Sequence, residues 1–230
     1  MGGRAATEGA PRSYGHVVVD EAQDLTAMAF RAVARRCPSG SLTILGDLAQ
    51  ATAPGAQRSW DSVIGHLAVP SESSVAELTL GYRVPGPVLD WANRLLPSAA
   101  PGVVPARSVR LTGRPPEVRA VVAPDDLVVE AAVAAEGLVG ASHTSVGVIA
   151  ALDAHPGLQE VGLAEGVQLV GPAEAKGLEF DGVVVVEPTA IVGTTGADEA
   201  AGLRLLYVAL TRAVQELVVV HHDPLPLPLR

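Results

Sequence analysis

"VVVDEAQD", residues 17–24, runs three β-branched apolar residues into an acidic pair. β-Branched side chains favour a strand, and a strand this apolar belongs to a sheet covered on both faces, as in parallel α/β architectures. Such a strand delivers Asp20 and Glu21 to its carboxyl end, where open α/β sheets place their ligands. There Asp20 suits a magnesium ion, directly or through a water, and Glu21 suits a water to be oriented or deprotonated. The plain alternative is a solvated acidic helix start with Asp24 as its N-cap. Sixteen residues precede the stretch, too few for the phosphate-binding loop that such a corner normally serves.

Outward from this point, short apolar runs alternate with helical patterns. Strands are expected at 16–20, 41–46 and 75–80, with helices near 25–36, 59–67 and 86–96. After a Pro/Gly/Arg-rich stretch over 97–116 the alternation resumes. Strands fall at 117–122, 145–150, 167–170, 182–187 and 216–221, and helices near 125–139, 153–162 and 197–213. This predicts an α/β fold of parallel sheets flanked by helices, a partial first sheet and a complete second one. Residues 1–15 read as a flexible leader, "AVPSESS" at 68–74 as a hinge, and the proline-rich 223–230 as a tail that continues neither helix nor central strand. The domains are thus 16–70 and 75–222.

At 230 residues and 48% hydrophobic content the chain is long enough for a well-buried core. It has no apolar run of the roughly 18 residues a bilayer crossing needs, and its opening lacks a secretory centre, so a cytoplasmic protein is expected. The single cysteine, Cys37, reads as an inert thiol, and no Cys/His cluster has zinc-ligand spacing. A net charge of −9 argues against coating nucleic acid by bulk attraction and leaves room for a local basic groove. Fifteen of the sixteen basic residues are arginine, and the one lysine is Lys176.

Four further stretches carry chemistry. "LTILGDLAQAT" (42–52) ends a strand on Gly46, Asp47 and Gln50, and a glutamine amide there can donate to a terminal phosphate while accepting from a water. "LTLGYR" (78–83) leads into a helix near Pro85 and offers Tyr82 as a flat face for a base and Arg83 as a fork for phosphate oxygens. Alone, the pair would read as surface residues, and Trp60 and Trp91 read as packing. In "AKGLEFDGVVVV" (175–186), Gly177 permits close backbone approach and Glu179 can accept from a ribose hydroxyl. "LLYVALTRA" (205–213) lies on a helix with Leu203, Leu206, Leu210 and Val214 on one stripe, and Arg212 near its end is either an arginine finger or a residue capping the helix.

Taken in order, these five stretches resemble motifs II to VI of the superfamily 1 helicases of the UvrD/Rep/PcrA type, over residues 16 to 221. "CPSGSLTILGDLAQAT" with "RSWD" is most similar to the HelD (helicase IV-like) branch, which includes RNA polymerase-associated motors. The resemblance implies two RecA-like domains, the first partial and the second complete, with ATP and Mg2+ between them and single-stranded DNA (or RNA) across their top. It implies magnesium at Asp20, the attacking water at Glu21 and a γ-phosphate sensor at Gln50. It also implies adenine stacking on Tyr82, γ-phosphate contacts from Arg83 and Arg212, and ribose binding at Glu179 beside Gly177.

The departures are equally specific. The phosphate loop GxxxxGK[ST] is missing; the nearest run, "GPAEAKGL" at 171–178, puts its lysine between alanine and glycine. With Lys176 the only lysine, no diverged loop can keep that side chain. The adenine-binding glutamine motif and motifs Ia and Ib are missing too, and "LVGPAEAKG" replaces the usual Thr-x-His stretch before motif V. The interval from Arg83 to Lys176 is too short for the large inserted domain of UvrD. Two functions follow: a helicase or translocase fragment that hydrolyses ATP negligibly alone, or a non-catalytic module docking on RNA polymerase or on a partner chain that supplies the Walker A half. A third reading is an internal start, with the loop encoded upstream.

Overall fold

The computed structural model of the chain describes residues 12–67, 73–141 and 143–230. Residues 1–11 of the expected leader and 68–72 of the expected hinge lie outside them. The chain divides into two compact units, Met1–Ala76 and Glu77–Arg230.

The first unit is built on two strands, β1 (Val17–Val19) and β2 (Leu42–Ile44), paired in parallel with Val17 opposite Leu42 and Val19 opposite Ile44. Helix α1 (Ala27–Arg36) connects them and α2 (Trp60–Leu67) follows, each strand first passing through a 3-10 turn, Ala22–Asp24 and Leu48–Gln50. α1 is capped by Thr26, whose hydroxyl accepts from the Ala29 amide at 3.3 Å. Asp24, the expected cap, instead accepts from the amides of Thr52 and Ala53, at 3.0 and 3.1 Å, and so ties down the loop after β2. Ala22, Phe30, Val63 and Leu67 form the core, with Val19, Leu42, Ile44 and Trp60 packed against it. Cys37 is buried and its thiol donates to the Ser41 carbonyl at 3.2 Å. Of the leader, Tyr14 donates its amide to the Arg36 carbonyl at 2.8 Å, which fastens 12–15 to the end of α1.

The second unit opens on a small parallel pair, β3 (Leu80–Gly81) and β4 (Arg107–Ser108), bridged by α3 (Gly86–Ala92), a 3-10 turn and α4 (Leu96–Ala99). The strand expected over 75–80 is therefore nearly absent: only Leu80 pairs, and Val75, Leu78 and Leu80 are exposed. Most of its apolar run is left uncovered, so the strand shrinks to the short pair with β4.

The main sheet has five parallel strands in the order β5 (Glu117–Ala120), β9 (Ala213–His221), β8 (Phe180–Val186), β6 (Val146–Ala150), β7 (Val167–Val170). Helices α5 (Asp126–Gly140) and α6 (His155–Val161) supply Ala131, Ala134, Ala135, Leu138 and Leu158 to one face, where they meet Val146, Val148, Val184, Val186, Val218 and Val220. Because side chains alternate along a strand, Val183 and Val185 point the other way, to the face where α8 (Glu199–Leu210) meets β8 and packs on α7 (Pro188–Gly193), α3 and α4. This is the fully covered parallel sheet that continuous valine runs foretell.

Two boundaries move for physical reasons. β8 starts at Phe180 rather than 182 because its ring lies on Gly147, where an added Cβ would meet it at 2.6 Å. α8 ends at Leu210, before Val214, which belongs to β9 and not to the helix stripe. The side chain of Thr211 donates to the Tyr207 carbonyl (2.9 Å) and Arg212 Nε to that of Val208 (3.0 Å), which takes up the helix's last acceptors. From Gly202 to Leu210 every residue of α8 is buried, so the helix is enclosed rather than amphipathic. The tail ends in a 3-10 turn at Leu227–Leu229 with Leu229 buried.

Candidate functional site

In the first unit, the corner after β1 is wired through hydrogen bonds. Glu21 adopts φ 51°, a left-handed conformation in which a side chain crowds the backbone. Its amide donates to Asp20 Oδ1 at 2.8 Å, and its own Oε2 accepts from Gln23 Nε2 at 2.6 Å. Gln23 is fully buried, and its Oε1 accepts the Asp47 amide at 3.0 Å. Asp47 in turn takes the Ala49 amide at 2.9 Å on Oδ1 and the Gln50 side-chain amide at 2.7 Å on Oδ2. A continuous path therefore joins Glu21 to Gln50 across the carboxyl ends of the two strands. Gly46 is required for it: a Cβ there would lie 2.5 Å from Gln23 Oε1. The sequence reading gave Gln23 no role; the signal was its place two residues after Glu21, but only burial distinguishes it from a solvated turn residue.

Asp20 is exposed at the strand's end. Among the described residues no group of three or more His, Cys, Asp or Glu is placed to hold a metal ion. The exposed Asp20 carboxylate is the kind of single protein ligand that magnesium takes together with phosphate oxygens and waters.

In the second unit, four stretches far apart in sequence converge. Arg83 pairs with Glu179 through Nη1 and Oε1. Gly177, at φ +76°, needs the freedom of glycine, and nothing lies within 4 Å of where its Cβ would be, so the backbone is open to approach. Arg212 is buried, with Nε on the Val208 carbonyl and Nη1 on the Leu178 carbonyl at 3.3 Å. These bonds hold it on the last turn of α8 and on the backbone between Gly177 and Glu179. Tyr82 is 68% exposed, leaving its ring face available. Arg110, which the sequence reading passed over, donates from Nη1 to the Arg83 and Val214 carbonyls. The two arginines differ in burial: Arg83 lies at the surface and Arg212 in the interior.

Comparison with known proteins gives this arrangement a context. No curated protein matches the chain. One similar structure is the C-terminal domain of a possible DNA helicase from Lactobacillus plantarum WCFS1, 24% identical, covering 65% of this chain and 92% of that one, at TM-score 0.49. Another is the Arterivirus nonstructural protein 10 helicase in complex with DNA, 19% identical, covering 94% of this chain and 41% of that one, at TM-score 0.50; the likeness is one of fold. Residues 173–220, which hold Gly177, Glu179 and Arg212, match the family model of the UvrD-like helicase C-terminal domain.

Proposed function

We propose that the chain is the magnesium, sensor and arginine-bearing part of a UvrD-like superfamily 1 helicase or translocase, acting on single-stranded DNA (or RNA) with ATP. The observation that carries this is the convergence of Arg83, Gly177, Glu179 and Arg212 in one unit, inside and beside the segment that matches the UvrD-like helicase C-terminal domain. In this reading Tyr82 stacks on adenine, Glu179 takes a ribose hydroxyl beside Gly177, and Arg83 and Arg212 neutralise charge at the γ-phosphate. Asp20 holds Mg2+ with the phosphates, and the metal, when bound, offsets phosphate charge. Glu21 orients the attacking water, and Gln50 reports on the γ-phosphate along the Gln23–Asp47 path. The similarity to HelD-type motors makes RNA polymerase a partner to test, and the expected compartment is the cytoplasm. Among the described residues no helix is long and apolar enough to cross a membrane.

The 230 residues contain one lysine and no GxxxxGK[ST], so this chain by itself is expected to release no phosphate from ATP with single-stranded DNA present. Radiolabelled phosphate release that vanishes in Glu21→Gln would sink that expectation. The nucleotide role is tested by photolabelling with 2-azido-ATP. The label is expected on the peptide holding Tyr82 and is expected to vanish in Tyr82→Ala; labelling that ATP does not compete away overturns it.

One observation favours a second reading, a binding module. Val18, at the centre of a parallel strand, is 62% exposed, although parallel strands are ordinarily covered on both faces. Co-purification of a chain carrying GxxxxGK[ST], or of RNA polymerase, supports this reading, and a stable monomer at high concentration counts against it.

A further inference from the structure

The loop carrying Tyr82 and Arg83 has both side chains largely in solvent, Arg83 paired there with Glu179. Its geometry depends on the backbone, and the backbone is splinted by residues 107–110, in the stretch whose composition suggests only irregular chain. The Arg107 amide donates to the Thr79 carbonyl at 2.8 Å and the Val109 amide to that of Gly81 at 2.9 Å. The Ser108 hydroxyl donates to the Val84 carbonyl at 2.6 Å, and the Gly86 amide donates back to the Arg110 carbonyl at 2.8 Å. Every second carbonyl from Thr79 to Arg83 is therefore taken by this segment, the last of them by the Arg110 guanidinium.

Arg110 does more than close the ladder. The same nitrogen, Nη1, reaches the Val214 carbonyl at 2.5 Å. A guanidinium NH2 carries two hydrogens, so both carbonyls can be served at once. Val214 lies two residues beyond Arg212, which is buried and anchored on three oxygens: the carbonyls of Val208 and Leu178 and the Thr211 hydroxyl. One end of the bridge thus lies beside a buried, hydrogen-bonded arginine, and the other is the exposed Tyr82–Arg83 loop. Arginine suits the position because its planar fork holds two acceptors with less loss of freedom than a lysine amine.

We infer that Arg110 is a positioning residue: it fixes the backbone of the Tyr82–Arg83 loop against the start of β9, so that Arg83 is presented at a set distance from Arg212. This rests on the nucleotide reading for its purpose and on the hydrogen bonds alone for its existence. The full chain, as wild type, Arg110→Met and Arg110→Lys, is compared by hydrogen exchange of assigned backbone amides and by ATP–magnesium titration followed on the same signals. In Arg110→Met the amides of Gly86, Arg107 and Val109, which bond this loop to 107–110, are expected to exchange at least about tenfold faster while those of β6 and β8 keep their protection. Arg110→Lys, which keeps a cationic donor, is expected to fall between. ATP is expected to shift the Tyr82 and Arg83 amides in the wild type, with a midpoint about fivefold higher in Arg110→Met, since a binding-competent loop is then populated for less of the time. Unchanged exchange at Gly86, Arg107 and Val109 in Arg110→Met, or loss spread evenly over the sheet, overturns the inference. A wild type whose Tyr82 and Arg83 signals ignore ATP overturns the nucleotide reading, and the exchange pattern still decides on Arg110.

Discussion

Two valine runs in this chain lead to a glutamate, Val17–Val19 through Asp20 to Glu21 and Val183–Val186 directly to Glu187, and both glutamates adopt a left-handed backbone, φ 51° and φ 47°. Their fates differ. Glu21 is exposed, and its carboxylate is engaged by the side chain of Gln23. Glu187 is buried, and its Oε2 accepts the amides of His222 and Asp223, at 2.8 and 3.1 Å, where the chain leaves β9. The valines differ in the same way: Val18 stands in solvent, whereas Val184 is completely buried. The same local pattern closes the fold in one unit and presents an acidic corner in the other, because burial is set by how many elements cover a strand and not by the strand itself.

The largest effect is expected from Gly202→Ala, since the new Cβ would lie 2.1 Å from the Val192 carbonyl oxygen where α8 crosses α7. Overpacking of this kind costs about 3 kcal/mol, read as a lower urea midpoint for the second unit. Next comes a matched pair. Val184→Ala is expected to cost about 2 kcal/mol, by lost transfer energy and a cavity. Val18→Ala, removing the same atoms, is expected to change stability by less than about 0.5 kcal/mol. Equal losses would show that β1 is covered in solution and that the contrast is false.

Glu187→Ala, which leaves two backbone donors without their acceptor, is expected to cost about 1–2 kcal/mol, and Glu187→Gln less because an oxygen remains. Limited proteolysis at the tail is the more direct readout, and a tail that stays resistant in Glu187→Ala would refute the role given to that carboxylate. The smallest effect concerns acid. Hydrogen bonds from the Thr144 hydroxyl and Gln215 hold the Asp181 carboxyl down to about 2. A depressed folded value means that stabilisation is complete above the ordinary carboxyl range and is lost as pH falls from there through about 2. Asp181→Asn is therefore expected to flatten the acid limb by lowering stability at neutral pH while leaving it little changed at the acid end, and an unaltered acid limb would contradict the assignment.

Most of the sheet was legible because its strands are valine runs that end where the pattern ends: β6 and β7 fall within a residue of expectation. The run over 75–80 has the same apolar character but pairs only at Leu80, since apolar residues form a strand only where a partner exists. The candidate site divides likewise. Asp20, Glu21, Gln50, Tyr82, Arg83, Gly177, Glu179 and Arg212 stand out by residue type next to strand ends. Gln23 and Arg110 do not, because what singles them out is burial in one case and a contact spanning 104 residues in the other.

By itself, the sequence determined a parallel α/β chain with acidic and basic groups at its strand ends, since β-branched runs and side-chain chemistry are local properties. Tertiary structure alone decided that Arg83 meets Glu179, that Arg212 is drawn inward onto helix carbonyls, and that Glu21 and Glu187 serve different ends. Those outcomes depend on which segments share a hydrogen-bond partner or lose water together, and that is fixed only when residues distant in the chain are packed side by side.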